Sequence, residues 1–318
     1  MLPVKPTPSS LSIVIPVYNG AATIGSVIDR LLPVLVRLAL PFEIILVNDG
    51  SRDDSWAAIA SLAARHPQIV GVDLMRNYGQ HNALLCGIRM ATHEAIVTMD
   101  DDLQQPPEEI PRLIAKLNEG FDVVYGTPDK EQHGVWRNVA SRLTKAVLNT
   151  VLGAEVAPLV SAFRVLRSDV QPVLSGYHSP LLSIDVLLTW ATTRFGAVTV
   201  RRDPRAAGRS NYRVRSLVRH ALNMLTGFSV VPLQLATVTG FAFALFGIAV
   251  LVYVISKYLI TGVSVPGFPF LASLIAIFSG AQLFALGIIG EYLGRMHLRI
   301  IERPAYLVRA STSARGPR

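Results

Sequence analysis

Ala95-Ile96-Val97-Thr98-Met99-Asp100-Asp101-Asp102-Leu103-Gln104-Gln105-Pro106-Pro107 reads as a short apolar strand that stops at three adjacent carboxylates. Its run is bounded by polar and proline residues, and the β-branched content suits a buried strand. The same grammar recurs on both sides. Upstream, Leu11–Val17 is an apolar run that ends in an Asn19-Gly20 turn, with a helical pattern from Thr23. Glu43–Val47 ends at Asn48-Asp49-Gly50-Ser51 and precedes a helix over Asp53–Arg65; Ile69–Leu74 precedes a helix over His81–Ala91. Downstream, Pro107–Glu119 is a helix with proline at its start and Gly120 after its end, and Asp122–Tyr125 is a fifth strand. Strand–helix alternation predicts an α/β domain with a mainly parallel sheet. Ligands of such sheets bind outside the carboxyl ends of the strands. Asp49, Arg76 and Asp100–Asp102 all fall there.

The chain has 318 residues, of which 51% are hydrophobic and 16% charged. With a mean hydropathy of +0.41, it is neither disordered nor a collagen or disulfide scaffold. Cys86 is the single cysteine, so no intrachain disulfide is available. Met1–Ser10 holds several prolines and no apolar run, so no secretory signal is expected there. The net charge of +8 points to an anionic partner, whether nucleic acid, a membrane face or a phosphorylated substrate.

Val230–Ile255 and Phe268–Gly290 carry no charged side chain. Each exceeds the roughly 20 residues that a helix needs to cross a bilayer. Arg213, Arg215 and Arg219 precede the first run and Arg295, Arg299 and Arg303 follow the second. The positive-inside rule then puts both flanks in the cytoplasm, as a multi-pass protein of the inner (cytoplasmic) membrane. Gly290 and Gly294 give a small-residue spacing suited to close helix packing. The domains read as a catalytic α/β domain over 1–211, a juxtamembrane amphipathic helix over 212–229, a two-helix membrane domain over 230–291 and a cytoplasmic basic tail over 292–318. A further amphipathic helix is expected over 136–152. Because the basic residues cluster beside the spans, anionic lipid is favoured and nucleic acid is not expected as a partner.

Alternate side chains of an extended segment point the same way, so Asp100 and Asp102 can share one divalent cation. Hard oxygen ligands suit Mg²⁺ or Mn²⁺, which also bind diphosphates. The alternative is a solvated acidic turn. Asp49 can accept hydrogen bonds from a ribose hydroxyl or a base N–H, or simply close an Asp-Gly turn. Arg205 and Arg209 flank Gly208 and can hold phosphates, or only read lipid headgroups. No G-x-G-x-x-G or P-loop is present, and nothing resembles a catalytic triad or a zinc site.

Ile15-Pro16-Val17-Tyr18-Asn19, Val47-Asn48-Asp49-Gly50-Ser51 and Met99 to Glu108 together resemble family 2 glycosyltransferases of the GT-A fold. Arg76-Asn77-Tyr78-Gly79-Gln80-His81, the Arg205-x-x-Gly208-x-Ser210-x-Tyr212 segment and the two apolar runs narrow the resemblance to polyprenyl-phosphate glycosyltransferases. That group contains dolichol-phosphate mannose synthase. The chain is most similar to the branch holding undecaprenyl-phosphate 4-deoxy-4-formamido-L-arabinose transferase and bactoprenol glucosyltransferase. The resemblance implies a nucleotide and donor site of Pro16, Tyr18, Asn19, Asp49, Arg76, Gln104, Ser161 and Arg164. It implies Asp100 and Asp102 as the D-x-D metal pair, with Asp101 and Arg205 also at the catalytic centre. It implies Arg137, Arg205, Arg209, Ser210 and Tyr212 toward the acceptor phosphate and lipid, and it carries a homotetramer as an expected assembly. The chain departs from the family at Gly20, where Glu is usual, at Asn211, where Lys is frequent, and at Pro128, where some relatives have Arg.

The expected activity is inverting transfer of one sugar from a nucleotide-diphosphate sugar, with UDP favoured, to a polyprenyl phosphate at the cytoplasmic membrane face. The partners are then the nucleotide sugar, polyprenyl phosphate and membrane lipid. The competing readings are transfer to another membrane lipid or glycan, and a non-catalytic partner in lipid-carrier transport.

Overall fold

The computed structural model describes residues 5–128, 152–153, 155–177, 179, 182–203, 226–227, 229–262, 267–301 and 303–313. The chain divides into two compact units, residues 1–217 with 302–318, and residues 218–301.

The first unit runs β1 (Leu11–Val17), α1 (Ile24–Leu38), β2 (Phe42–Asn48), α2 (Ser55–Arg65), β3 (Ile69–Leu74), α3 (Gln80–Met90) and β4 (Ala95–Thr98). A 3₁₀ turn at Pro107–Glu109 leads into α4 (Ile110–Leu117) and β5 (Val123–Pro128). Then come β6 (Arg164–Arg167), α5 (Gln171–Ser175), α6 (Ile184–Ala191), β7 (Phe195–Val200) and, near the end of the chain, β8 (Val308–Ser311). The first five strands and four helices lie where the sequence predicts them, with ends shifted by a few residues. All eight strands form one sheet in the order β7-β5-β6-β4-β1-β2-β3-β8. The central strands are parallel; β6 runs antiparallel between β4 and β5, and β8 antiparallel along β3.

Helices cover both faces, so the central strands are apolar on both sides. Ile13, Ile15, Ile44 and Leu46 face one core with α1, α2 and α4. Val14, Ile45 and Val47 face the other with α3, α5 and α6. Helix α1 illustrates the cause: Ile24, Val27, Ile28, Leu31, Val34 and Leu35 are buried at three- and four-residue intervals, an apolar stripe on one side of the helix.

The second unit is α7 (Val231–Thr261) and α8 (Phe268–Ile300). Both are long and apolar enough to cross a membrane. Their apolar side chains are bare: Leu259 is 76% and Phe241 67% exposed, a surface that water would not tolerate at this extent. The helices meet at Phe243 and Phe278, edge to face at 5.7 Å, with Gly247 against the Phe278 ring. Among the described residues the close packing expected at Gly290 and Gly294 is not made: a Cβ at either would have nothing within 4 Å.

The tail expected over 292–318 is corrected. Residues 292–300 extend α8, and Val308–Ser311 is the edge strand β8. Ser311, Ala310 and Val308, paired with β3, satisfy backbone groups that an open edge would leave to solvent. The amphipathic helix expected over 136–152 lies outside the described residues apart from Leu152, and the one over 212–229 apart from residues 226, 227 and 229.

Candidate active site

The parallel strands β1, β2, β3 and β4 end on one rim, and their loops enclose a cleft of about 240 Å³. Pro16 and Val17 end β1 and Tyr18 follows it, Asp49 follows β2, Asn77 and Gly79 come from the β3–α3 loop, Gln80 opens α3, and Asp100, Asp101 and Asp102 lie in the turn after β4. Four separate strand ends therefore converge as the α/β rule predicts.

Asp49 is almost fully buried, at 3% exposure. Its Oδ1 accepts the Tyr78 N–H at 2.7 Å and its Oδ2 accepts the Gly79 N–H at 2.9 Å. Burial raises its pKa, while these two bonds oppose the rise. Asp49 thus builds the cleft by holding the β3–α3 loop. Gly50 makes that approach feasible: its φ is +60°, and a Cβ there would lie 2.3 Å from the Arg76 carbonyl carbon. Only glycine fits both conditions.

The acidic turn is held from outside. Gln80 Nε2 donates to Asp100 Oδ1 at 2.7 Å, and Gln105 Nε2 to Asp100 Oδ2 at 3.2 Å. The Gln104 N–H donates to Asp102 Oδ1 at 3.1 Å. Leu103 takes a φ of +61°, a costly conformation for leucine, and its side chain packs partly buried against the core. Asp101 is pushed up to about 7, first by burial and then by the Asp100 and Asp102 carboxylates, against the backbone N–H groups of Tyr18 and Asp101. Its Oδ2 is buried with no hydrogen-bond partner among the described residues.

That oxygen explains the departure at Gly20. A Cβ on Gly20 would lie 2.3 Å from Asp101 Oδ2 and 3.0 Å from Val17 Cγ1. A glutamate cannot stand there while Asp101 keeps this position. Gly20→Ala is expected to displace the Asp101 carboxylate at a cost of about 1–3 kcal/mol. A melting curve would read it, and an unchanged melting temperature would refute the steric argument.

A second cleft, of about 270 Å³, shares Asp100 and adds Gln104, Gln105, Ser161, Arg201 and Arg202. Arg202 Nη2 donates to Gln104 Oε1 at 2.8 Å. Two guanidinium groups follow the end of β7 here, a phosphate-binding chemistry.

Pro16, Tyr18, Asp49, Asp100, Asp101, Asp102, Gln104 and Ser161 therefore gather at these clefts. Asn19 lines neither; its N–H donates to Ser51 Oγ and its Oδ1 accepts the Arg52 N–H, clasping the β1 and β2 ends together. Arg76 stacks its guanidinium 4.7 Å over the Tyr78 ring and is exposed beside Asn77. Arg164 lines neither of these clefts and is 1% exposed. Its guanidinium pairs with Asp185, and its Nε donates to Thr98 Oγ1 at 3.0 Å. Arg137, Arg205, Arg209, Ser210 and Tyr212 lie outside the described residues. Asn77, Gln80, Gln105, Arg201 and Arg202 were not singled out from sequence. Gln80 sat within the Arg76–His81 motif, and the arginines follow a strand end that the pattern reading had missed.

The chain matches the Glycosyl transferase family 2 model over residues 12–170. It belongs to that family, and its α/β unit is a GT-A glycosyltransferase domain. Among its relatives is the undecaprenyl-phosphate 4-deoxy-4-formamido-L-arabinose transferase of Shewanella sediminis, 35% identical over 94% of this chain and 91% of that protein. The transferase of the same name from Yersinia enterocolitica is 34% identical over 96% of this chain and 94% of its own length. Among solved structures, the glucosyl-3-phosphoglycerate synthase of Mycobacterium tuberculosis, in complex with Mn²⁺ and UDP-glucose, aligns with a TM-score of 0.51 at 21% identity. That alignment covers 69% of this chain and 79% of the other, and it carries the fold.

Proposed function

We propose that this protein transfers one sugar from a nucleotide-diphosphate sugar, a UDP-sugar first, to polyprenyl phosphate at the cytoplasmic membrane face, with inversion. The observation that carries the reading is the convergence of Pro16, Tyr18, Asp49 and Asp100–Asp102 in one cleft, with an arginine-lined cleft sharing Asp100. The two relatives named for undecaprenyl-phosphate transfer, each aligned over more than 90% of its length, support the acceptor. Helices α7 and α8 suit a protein whose acceptor carries a lipid tail.

Asp100 and Asp102 line one cleft and offer hard oxygen donors that fit a divalent cation. Among the described residues no third His, Cys, Asp or Glu completes a metal site with them. Asp100 and Asp102 would hold Mg²⁺ or Mn²⁺ with the remaining ligands taken from diphosphate and water, as small hard cations prefer. The cation, when bound, offsets charge on the leaving diphosphate.

The chain's own residues do the rest. Tyr18, 46% exposed at the rim, offers a face to the nucleotide base. Asp49 keeps the β3–α3 loop shaped around it. Arg201 and Arg202 draw phosphate into the second cleft. The acceptor phosphate is already ionised at neutral pH, so its oxygen attacks the anomeric carbon without a strong general base. The sugar–phosphate bond of the donor breaks on the opposite side, and a single displacement inverts the centre.

The test uses the full chain in detergent with polyprenyl phosphate, Mg²⁺ or Mn²⁺ and a panel of UDP- and GDP-sugars. A new polyprenyl-phosphate-sugar, read by mass together with nucleoside diphosphate release, is expected from one donor. Metal-dependent nucleotide binding with no product on any polyprenyl phosphate would reject this acceptor. No nucleotide binding at all would favour the transport-partner reading.

A further inference from the structure

We infer that the C-terminal strand β8 is a brace for the nucleotide cleft and that Arg309 is its positioning residue. The inference rests on the nucleotide reading of the first cleft for its functional consequence, and on geometry alone for the brace. The loop from Met75 to Gly79 supplies Asn77 and Gly79 to that cleft. Its far end is tied by the Tyr78 and Gly79 N–H groups to Asp49. Its near end is tied by the tail. The Met75 N–H donates to the Leu307 carbonyl at 2.9 Å, and Arg309 Nη2 donates to the Met75 carbonyl at 2.7 Å. Both backbone groups of Met75 are thus held by residues more than 230 positions away in sequence.

Arg309 also reaches the adjoining strand end. Its Nη1 lies 3.4 Å from Asp73 Oδ2, a carboxylate only 3% exposed. Asp73 Oδ1 in turn accepts Asn48 Nδ2 at 2.7 Å, and Asn48 is the residue before Asp49. One guanidinium therefore touches both routes to Asp49: through β2, by way of Asp73 and Asn48, and through the loop, by way of Met75. The strand itself is seated. Val72, Asp73 and Leu74 pair with Ser311, Ala310 and Val308, and the register shifts between Asp73 and Leu74. Gly71 N–H donates to Thr312 Oγ1 at 2.8 Å. Ahead of the strand, Ala305 and Tyr306 are buried in the core beside α3. A loop pinned at both ends presents its amides preformed to a ligand, and binding then orders less chain. With the near end released, the loop is held at Asp49 alone among these ties, and nucleotide has to order it.

The experiment compares the full chain with Arg309→Ala, Arg309→Lys and Ala310→Pro in detergent, without nucleotide and then with UDP and metal. Hydrogen exchange followed by mass spectrometry reads the loop. In Arg309→Ala, amides of residues 76–82 are expected to exchange about tenfold faster, with those of β1 unchanged. The UDP Kd and the donor KM are expected to rise about three- to tenfold with kcat within about twofold. Arg309→Lys keeps a donor for the Met75 carbonyl and falls between. Ala310→Pro breaks the strand pairing and exceeds both. Unchanged loop exchange in Arg309→Ala and Ala310→Pro overturns the brace, as does equal acceleration in β1. If the loop loosens as expected but the unsubstituted chain binds no nucleotide, the brace stands and the nucleotide reading of the cleft falls.

Discussion

Asp102→Asn is expected to slow sugar transfer by about three orders of magnitude. The substitution keeps the shape of the side chain, and an asparagine Oδ1 still accepts the Gln104 N–H that closes the turn. The acidic loop therefore survives, and on the proposed reading what disappears is one of the two formal charges that would hold a cation in the cleft. Without it the departing diphosphate has less to offset its charge at the moment the bond breaks. The measurement is nucleoside diphosphate release against Mg²⁺ and Mn²⁺ concentration. A variant within tenfold of the unsubstituted rate at saturating metal would remove Asp102 from the catalytic centre. Asp100 is a less clean probe, because Gln80 and Gln105 both donate to its carboxylate.

The second large effect is on stability. Arg164→Met is expected to cost about 3–5 kcal/mol, a fall of about 10 °C in melting temperature for a chain of this size. The guanidinium pairs with Asp185 in the core, and Tyr125 Oη donates to the same Asp185 Oδ1 at 2.9 Å. Removing the arginine strands a carboxylate that is 6% exposed. Arg164→Met with Asp185→Leu is expected to recover most of the loss, since the buried charge goes too; the Tyr125 hydroxyl alone is left wanting a partner. If the single variant melts like the parent and binds donor poorly, the sugar-pocket role implied by resemblance is restored.

The places of these two residues were legible to different degrees. Asp102 could be placed because it follows a strand end. In an alternating α/β chain the carboxyl ends share a rim, so Asp49 and Asp100–Asp102 could be placed together from pattern alone. The burial of Arg164 was not legible because a motif says nothing about burial: an arginine between Phe163 and Val165 looks like a ligand group, yet Asp185, twenty-one residues on, pairs with it inside the core. The late strands were illegible for a different reason. β6 and β8 have four residues each, and β6 begins and ends in arginine. A period of two has no room to declare itself over four residues. Gln80 and Gln105 were overlooked because an uncharged amide stands out only once its partner, here Asp100, is known.

The position of β8 sets an order on biosynthesis. Gly71 and Thr312 are hydrogen-bonded partners 241 residues apart. At ribosomal speeds, β3 waits roughly 10–50 s for its neighbour. In that interval both long apolar helices emerge, while the half-finished sheet carries a naked margin able to pair with another nascent chain. Until β8 arrives, the loop that begins at Met75 lacks its ties to Leu307 and Arg309, so that side of the cleft is finished only after both long helices have been made.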